Sequence, residues 1–306
     1  MRKICLILCV AACAFASCTK GVEGTSGSQM KLSPVVEVNS ATKAIITGTT
    51  FPTSRSMVVS ADLMANTGGS GNYFTGVTFT YDGGSSVWVP ATTYYWPLNG
   101  GLEMLAYSQG SVSVTPTWTN ATNIRLVSTD FTADDVLLGG LTDAKPATKS
   151  IAFKHALSQV KFQGKASVGS VVKIKGITIN AYKGATINGA KSGGSSNVTI
   201  TTSSLTGQAN VSSFSGNQAL TTSYADVGTN GSPILIPAQT PASVTVTYTI
   251  TNNSVESGTM TVTKSLSTAM VSGSAYTVQL NFTLTGLTVT ATLTDWTSGG
   301  NVPVSI

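Results

Sequence analysis

The chain has 306 residues with a formal net charge of +5, and only 9% of its residues are charged. Soluble globular chains usually contain about 25% charged residues. The sequence has no basic run with interleaved aromatic residues, which argues against nucleic acid as a partner. The four cysteines all lie at or before Cys18, so a disulfide framework, a thiolate metal site and a cysteine nucleophile are excluded from the folded part.

Residues 1–17 have the features of an export signal. A short basic start precedes an apolar segment that is too short to be a durable membrane span. Small residues directly before Cys18 resemble the bacterial lipobox, in which a signal peptidase cuts before the cysteine and its thiol is acylated. We therefore predict lipidation at Cys18; the alternatives are an earlier lipobox at Cys13 and an ordinary secretory signal with an incidental cysteine. Residues 18–34 are rich in Gly, Ser and Thr and predict a flexible tether.

Strand-like segments follow the tether. Alternating apolar residues predict strands within residues 35–47 and a hairpin over residues 77–89. Residues 53–56, which include Arg55, come after a proline and predict an exposed turn. Residues 129–140 predict a helical turn or a loop before a short strand.

Residues 151–162 carry a clear strand pattern and the chain's one histidine, His155. The large apolar residues occupy one parity up to Leu157 and the other parity from Val160 onward. Such a change flips the buried face, so we expect a β-bulge or a sharp bend near Ser158. Because a polar segment with a proline precedes this stretch, we interpret it as the strand that opens a second domain.

Strand-like segments with Gly, Ser or Asn clusters between them continue through the second half, and no segment has a convincing amphipathic helix pattern. They lie at residues 173–181, 198–201, 233–237, 244–250, 260–263, 276–284 and 287–293. Many short strands separated by turn signals predict an all-β fold of β-sandwiches. The length fits two domains, which we place at residues 35–146 and 147–306.

Several separated motifs occur along the chain. They are the lipobox, residues 42–46 (TKAII), residues 94–97 (YYWP) with 105–107 (LAY), residues 153–160 (FKHALSQV), residues 234–239 (ILIPAQ) and the terminal Asp295-Trp296. In their order and spacing they resemble the fimbrillin family of Bacteroidetes surface lipoproteins, the subunits of type V pili. The resemblance covers nearly the whole mature chain.

This resemblance implies a fold and a mode of assembly. It implies two consecutive transthyretin-like β-sandwich domains and no enzymatic activity. In polymerising members of the family, an outer-membrane-associated protease cuts after an arginine in an early loop and removes the first strand. A strand from the next subunit then fills the gap, which restores the ladder hydrogen bonds and covers an apolar groove.

The resemblance points to Arg55 as the processing site. Arg55 and Arg125 are the only arginines beyond the signal, and Arg55 lies between a predicted first strand at residues 44–47 and the next strand. The alternative is that Arg55 is simply a solvated charge in a turn. The end of the chain has alternating apolar residues that would form a donor strand, or simply the last strand of the second domain: Val302, Val304 and Ile306.

Side chains that could carry chemistry are sparse. His155 lies on the apolar parity of its strand, so we expect it to pack against a hydrogen-bond partner rather than to act in catalysis. The acidic cluster of Asp130, Asp134 and Asp135 lacks the ligand spacing of an EF-hand, which favours loop charge or helix capping over a calcium site. We predict no catalytic site, no metal site and no cofactor.

The leading hypothesis is a tip, accessory or stalk subunit of a cell-surface fimbria, assembled by protease-triggered strand exchange and contributing to adhesion. Its partners would be other fimbrial subunits, a glycan or protein ligand on a host or microbial surface, and the outer membrane through the lipid anchor of the precursor. The alternative is a monomeric glycan- or matrix-binding surface lipoprotein, whose sugar platform would use exposed aromatic residues: Trp88, Trp118 or Trp296.

Overall fold

The computed structural model describes residues 28–37, 50–64, 71–97, 100–143, 148–166, 171–283, 286–294 and 303–305. Within these ranges the chain consists of β-strands and one short 3-10 helix, Thr229–Gly231. The strands are β1 Leu32–Val36, β2 Met57–Leu63, β3 Gly71–Asp82, β4 Val87–Pro90, β5 Leu102–Ser108, β6 Thr115–Asn120, β7 Asn123–Ser128, β8 Leu137–Asp143, β9 Lys149–His155, β10 Ser158–Ala166, β11 Val171–Lys191, β12 Val198–Ala219, β13 Ala225–Asp226, β14 Ile234–Ile236, β15 Ser243–Asn252, β16 Val255–Glu256, β17 Met260–Ser265, β18 Ala275–Thr283, β19 Gly286–Thr294 and β20 Pro303–Ser305. The predicted all-β fold is confirmed. In the described ranges we find no helix with the length and hydropathy of a membrane span.

The first strands form a closed barrel in the order β1-β4-β3-β2-β5-β8-β9. Its closure depends on β1, which pairs in parallel with β9 from Leu32 opposite Lys149 to Val36 opposite Phe153. On its other side β1 pairs with β4 only at Leu32, which lies opposite Trp88. A closed barrel has no unpaired strand edge, so loss of β1 would create two.

The remaining strands form two sheets. The six-stranded sheet follows the path β13-β10-β18-β19-β20, with β14 also paired to β10. The seven-stranded sheet follows the path β16-β15-β11-β7-β6, with β12 paired to β11 and β17 paired to β15. Both sheets contribute to one apolar core that includes Phe162, Ile177 and Val278. This is the layered arrangement of a β-sandwich.

A long hairpin of β11 and β12 joins the two halves of the chain. The two strands have 21 and 22 residues, and they pair with each other along nearly their whole length. The first half of β11 pairs on its other side with β15, whereas its second half, from Ala185 to Ala190, pairs with β7. At about 3.4 Å per residue a strand of this length spans about 70 Å. The hairpin therefore reaches from the sandwich to the barrel.

The strands that lie between the barrel interior and this hairpin are apolar on both faces. On β5, Met104 points into the barrel core, and its neighbour Leu105 belongs to a second core outside the barrel. On β8, Leu137 likewise belongs to the barrel core and Leu138 to the second core. Ile187 of β11 belongs to the outer core, so the hairpin covers this face. Burial of both faces explains why consecutive apolar residues occur on these strands.

The change of parity within residues 151–162 is explained by two separate strands. β9 ends at His155 and β10 begins at Ser158, so the expected bend lies at Ala156 and Leu157. β9 belongs to the barrel, and β10 belongs to the six-stranded sheet. The interpretation of the whole stretch as the strand that opens a second domain is therefore wrong for β9, which pairs with β1 and β8. The predicted hairpin over residues 77–89 is formed by β3 and β4. Residues 129–136 form a loop before β8, which is the second of the two predicted possibilities.

The prediction of a flexible tether over residues 18–34 is wrong at the C-terminal end of that segment. Residues 28–34 are part of the folded barrel rather than of a flexible segment, because Leu32–Val36 forms β1. Met30 and Leu32 are fully buried. The apolar residues at this end bury surface in the barrel core, and this gain offsets the ordering of a short polar segment.

Gly140 on β8 tests how closely the hairpin packs on the barrel. A Cβ added there would lie 2.7 Å from the carbonyl oxygen of Ser196 and 2.9 Å from Cγ2 of Val198. We expect Gly140→Ala to lower the free energy of unfolding by about 1–3 kcal/mol, as measured by urea unfolding, because the contact is overpacked.

Gly258→Ala is the matched control, since a Cβ at that position meets no atom within 4 Å. Its free energy of unfolding should change by less than about 0.5 kcal/mol. Equal effects of the two substitutions would contradict the close packing of the hairpin tip on β8.

Candidate functional site

The loop before β2 turns Arg55 back onto the fold. The amide of Arg55 donates a hydrogen bond to the carbonyl oxygen of Pro52 at 3.0 Å, which closes a turn with Thr53 and Ser54 exposed. The turn lies where the sequence predicts it, yet only 9% of the Arg55 side chain is exposed. Nε1 of Trp88 donates to the carbonyl oxygen of Arg55 at 3.0 Å. Both the backbone and the side chain of Arg55 are therefore held.

The guanidinium of Arg55 pairs with the loop before β8. Its Nη2 forms an ion pair with Oδ1 of Asp134, and its Nη1 donates to the carbonyl oxygen of Asp135 at 2.8 Å. The other carboxylate oxygen of Asp134 accepts from the amide of Ser111 at 3.0 Å. Gly110 has a φ of 55°, and a Cβ there would collide with the Asp134 carboxylate and the guanidinium. The contact thus requires glycine at this position.

His155, the last residue of β9, packs against a buried carboxylate. Its Nδ1 lies 2.5 Å from Oδ2 of Asp135, and 4% and 0% of the two side chains are exposed. The prediction that His155 packs against a hydrogen-bond partner is confirmed. Because the Arg55 guanidinium binds the backbone of Asp135, one set of contacts joins the Arg55 loop to the end of β9.

An open cleft of about 550 Å³ lies beside this loop. The Arg55–Asp134 pair forms part of its wall, and most of the remaining wall carries hydroxyl groups: Ser54, Ser56, Thr78, Tyr107, Ser108 and Ser111. Burial raises the pKa of the Tyr107 phenol. His155 and Asp135 are not part of the lining. The cleft therefore exposes the loop to solvent without exposing the buried histidine.

The three carboxylates of the acidic cluster do not share a site. Asp134 and Asp135 make the contacts described above, whereas Oδ2 of Asp130 lies 2.5 Å from Nζ of Lys183. Burial by itself raises the pKa of Asp130, but hydrogen bonds from Lys183 and Thr132 outweigh it and hold that pKa below its ordinary value. Among the described residues, no group of three His, Cys, Asp or Glu side chains is arranged to hold a metal ion.

The barrel-closing segment, residues 28–37, is bound along its backbone. At its start the amide of Met30 donates to the carbonyl oxygen of Tyr94 at 2.8 Å. At its end the amide of Glu37 donates to the carbonyl oxygen of Phe153 at 2.7 Å. The segment is held by β-type hydrogen bonds to its neighbours, and a different strand could form such bonds equally well.

The same segment fills the barrel interior. Three of its apolar side chains are at most 2% exposed: Met30, Leu32 and Val36. Farther along the chain, Phe51 packs between Trp88 and Phe153, with ring centroids 5.4 and 5.1 Å away. Without these residues, the space between β4 and β9 would be an apolar groove.

The predicted donor strand lies at the edge of the six-stranded sheet. β20 has three residues and pairs antiparallel with β19 of the same chain, with Val304 opposite Ala291. Val302 and Ile306 lie outside the described residues, as does the predicted lipidation site Cys18. The structure thus pairs the end of the chain with its own second half.

The tryptophans considered for a sugar platform have other surroundings. Trp88 is 5% exposed and belongs to the barrel core. Trp118 on β6 is half-buried and packs beside Tyr107, with ring centroids 6.0 Å apart. Trp296 lies outside the described residues.

Sequence reasoning missed two parts of this site. The first is the start of β1, because a strand was predicted only from residue 35 onward, although Met30, Leu32 and Val36 share one parity and could have indicated it. The predicted first strand at residues 44–47 lies outside the described residues. The second is the contact between Arg55 and Asp134, which lie 79 residues apart. A contact of this kind has no local sequence signal.

A family model described as fimbrillin-like matches residues 42–296. Among solved structures, the chain is similar to a candidate cell adhesion protein from Bacteroides ovatus ATCC 8483, with 15% identity, a TM-score of 0.51, and coverage of 90% of this chain and 100% of that chain. It is also similar to a fimbrial protein from Bacteroides vulgatus ATCC 8482, with 14% identity, a TM-score of 0.50, and coverage of 87% and 99%.

At these identities the structural likeness shows a shared fold. The comparison with curated proteins gives no match. The family model spans most of the sequence, including Arg55 and His155. The chain therefore belongs to the fimbrillin-like family.

Proposed function

We propose that the protein is a structural subunit of a cell-surface fimbria, that it contributes to adhesion, and that it assembles by exchange of its barrel-closing strand. Membership of the fimbrillin-like family supports the fimbrial role, and we propose a structural rather than an enzymatic role for the chain. The position of β1 is the observation that most supports assembly by strand exchange. This strand closes the barrel, and it precedes Arg55 in the chain.

A cut after Arg55 would separate β1 and Phe51 from the rest of the barrel, which continues at β2. β9 would lose the partner that it has from Lys149 to Phe153. Trp88 would lose the ring of Phe51 that now covers it. A buried strand edge without hydrogen-bond partners costs free energy, so the open groove would bind an incoming strand by β-augmentation.

The contact between Arg55 and Asp134 would delay this cut. A protease that recognises arginine needs the side chain in its own pocket, whereas here the guanidinium is bound by Asp134 and by the carbonyl of Asp135. Cleavage then requires local opening of the loop. The uncut precursor would keep β1 during export and anchoring at the outer membrane through Cys18.

The end of the chain is the proposed donor. β20 is only three residues long and has one partner, β19, among the described strands. Its release costs few hydrogen bonds, and Val302, Val304 and Ile306 alternate as a strand entering an apolar groove must. The partner subunit would be a second copy or another fimbrial subunit.

Limited digestion with an arginine-specific protease tests the processing site. For the chain from Thr19 onward, we expect one cut, after Arg55. Arg125 should resist because it lies within β7, which is paired on both sides with β6 and β11. Asp134→Asn should speed the cut, because it removes the ion pair and leaves the guanidinium only its bond to the carbonyl of Asp135, and Arg55→Lys should abolish it. The fragments are identified by mass spectrometry. Cleavage at Arg125 before Arg55 would overturn the assignment.

Assembly after the cut is followed on SDS gels without boiling. We expect SDS-resistant ladders from the cut chain and none from Arg55→Lys, because only the cut chain has an open groove. A chain that lacks residues 302–306 should be cut at the same rate but form no ladder. Ladders from this truncated chain would show that the donor is another segment, and ladders from uncut Arg55→Lys would contradict strand exchange at β1.

A further inference from the structure

The longest strand edge in the described part of the chain belongs to β12. Its one strand partner there is β11, which pairs with it from Val198 to Ala219. Its 22 residues include no Lys, Arg, Asp, Glu or Pro. Open strand edges attract other strands, and proteins usually protect them with charges, prolines or short length. β12 has none of these three features, although bulges, which also protect edges, occur where its register with β11 shifts.

Most of the strands at the margins of the two sheets are protected in one of these ways. In the seven-stranded sheet, β6 carries Pro116, β17 carries Lys264, and β16 is only two residues long. In the six-stranded sheet, β13 is two residues long and carries Asp226, and β20 carries Pro303. Two shorter uncharged stretches are also open, because β20 covers β19 only from Thr290 to Thr292 and β4 covers β3 only from Phe79 to Asp82. β12 is therefore the longest edge without a charge or a proline in the described ranges.

The faces of β12 explain why the strand is stable in its place. Its larger apolar side chains pack on the cores beneath it, Val211 and Phe214 on the sandwich core and Ile200 and Leu205 on the outer core. Most of the other residues are exposed, and they are Ser, Thr, Gly, Asn and Gln. No residue of β12 is an exposed large hydrophobic residue. The strand therefore offers backbone hydrogen bonds and small polar side chains, and no pocket for an apolar peptide.

One part of the edge is regular enough to pair. The register between β11 and β12 shifts near Ile174, Ile177 and Gly184, but it runs without a shift over residues 206–212 of β12. Because Gly207 has a left-handed φ of 65°, the regular strand geometry covers residues 208–212. A side-chain ladder fixes this part. Nδ2 of Asn180 donates to Oδ1 of Asn210 at 2.8 Å, and Nε2 of Gln208 donates to Oδ1 of Asn180 at 2.8 Å.

We propose that β12 is a docking edge for a second copy of this chain. The two β12 strands pair antiparallel about a two-fold axis that passes through residues 208–212, so that two seven-stranded sheets become continuous. A two-fold contact places the same surface on both partners. β12 suits this contact because it sets no like charges opposite each other, and its Thr and Ser residues form favourable cross-strand pairs.

This contact is independent of the strand exchange proposed above. It uses the uncut chain with β1 in place, and it involves neither Arg55 nor the end of the chain. All experiments below therefore use uncut protein from Thr19 onward, which retains every described residue. Their failure would leave the exchange of β1 untouched, and a failure of cleavage at Arg55 would leave this contact untouched.

Cysteine cross-linking tests the geometry, because the chain beyond Cys18 contains no cysteine of its own. We expect at least one of the single variants Thr206→Cys, Ala209→Cys and Ser212→Cys to form a disulfide-linked dimer under mild oxidation. Residues at the two-fold axis lie opposite their own copies, within reach of a disulfide. Thr117→Cys on the exposed, proline-containing edge of β6 is the control. Cross-linking no faster than this control at all three positions would overturn the proposal.

Sedimentation velocity measures the same contact without a covalent link. We expect the unmodified chain to show a concentration-dependent dimer. Thr206→Lys combined with Ser212→Lys should weaken it about ten-fold or more, because like charges then face each other across the strand pair. Thr117→Lys with Thr119→Lys on β6 should leave the dimer unchanged. Urea unfolding of each variant checks that the fold is retained. A monomer at the highest soluble concentration, or equal weakening by both pairs, would contradict docking through β12.

Discussion

Closure of the barrel by one parallel strand is the constraint on which this account depends. Every strand carries rows of N–H and C=O groups, and those left unpaired beside an apolar interior cost free energy. β1 satisfies this requirement for β9, from Lys149 to Phe153, and Leu32 and Val36 fill the interior beneath it. β1 is also the first strand of the described chain. A strand at this end can be removed by one cut without breaking the connections among the other barrel strands.

The contacts around Arg55 connect this cut to the barrel. The guanidinium holds Asp134 and the backbone of Asp135, and the carboxylate of Asp135 holds His155 at the end of β9. The loop that would be cut and the strand that would lose its partner are thus joined through one buried polar cluster. Buried charged groups are costly unless they are paired. The pairing would therefore keep the loop closed, and proteolysis after Arg55 would have to proceed from a locally opened state.

The protein has two kinds of strand edge, which would have separate roles in assembly. The edges of β4 and β9 are covered by β1 and would become available only after a cut. The edge of β12 is open in the uncut chain, with no charged residue along it. The first edge would join subunits end to end through a bound strand, and the second would bring two copies side by side. Since the β11–β12 hairpin packs on both the barrel and the sandwich, a contact at β12 would also restrain the two halves relative to each other.

Much of the fold could be predicted from the sequence, because alternation of apolar and polar residues indicates a strand wherever one face of the strand is buried. The hairpin of β3 and β4 and the strands of the second half could be predicted in this way. β12 could not be predicted beyond residue 201, since its remaining residues are mostly small and polar and bury little surface. β1 was hidden for a different reason, because Pro34 occupies the buried parity between Leu32 and Val36 and is typical of a break in a strand. The parallel pairing of β1 with β9 joins the two ends of the barrel chain, and local patterns do not specify such partners.

Hydrogen exchange on the amides of β9 tests the central claim most directly. The amide of Lys149 donates to the carbonyl of Lys31, and in a parallel ladder alternate residues face the same neighbour. The amides of Lys149, Ile151 and Phe153 therefore face β1, whereas those of Ala152 and Lys154 face β8.

In the uncut chain all five amides should be protected. In chain cut at Arg55 and kept monomeric, the three that face β1 should exchange fast while the two that face β8 stay protected. In the multimer the three should be protected again. Continued protection of the three amides in the cut monomer, or fast exchange in the multimer, would contradict the replacement of β1 by a donor strand.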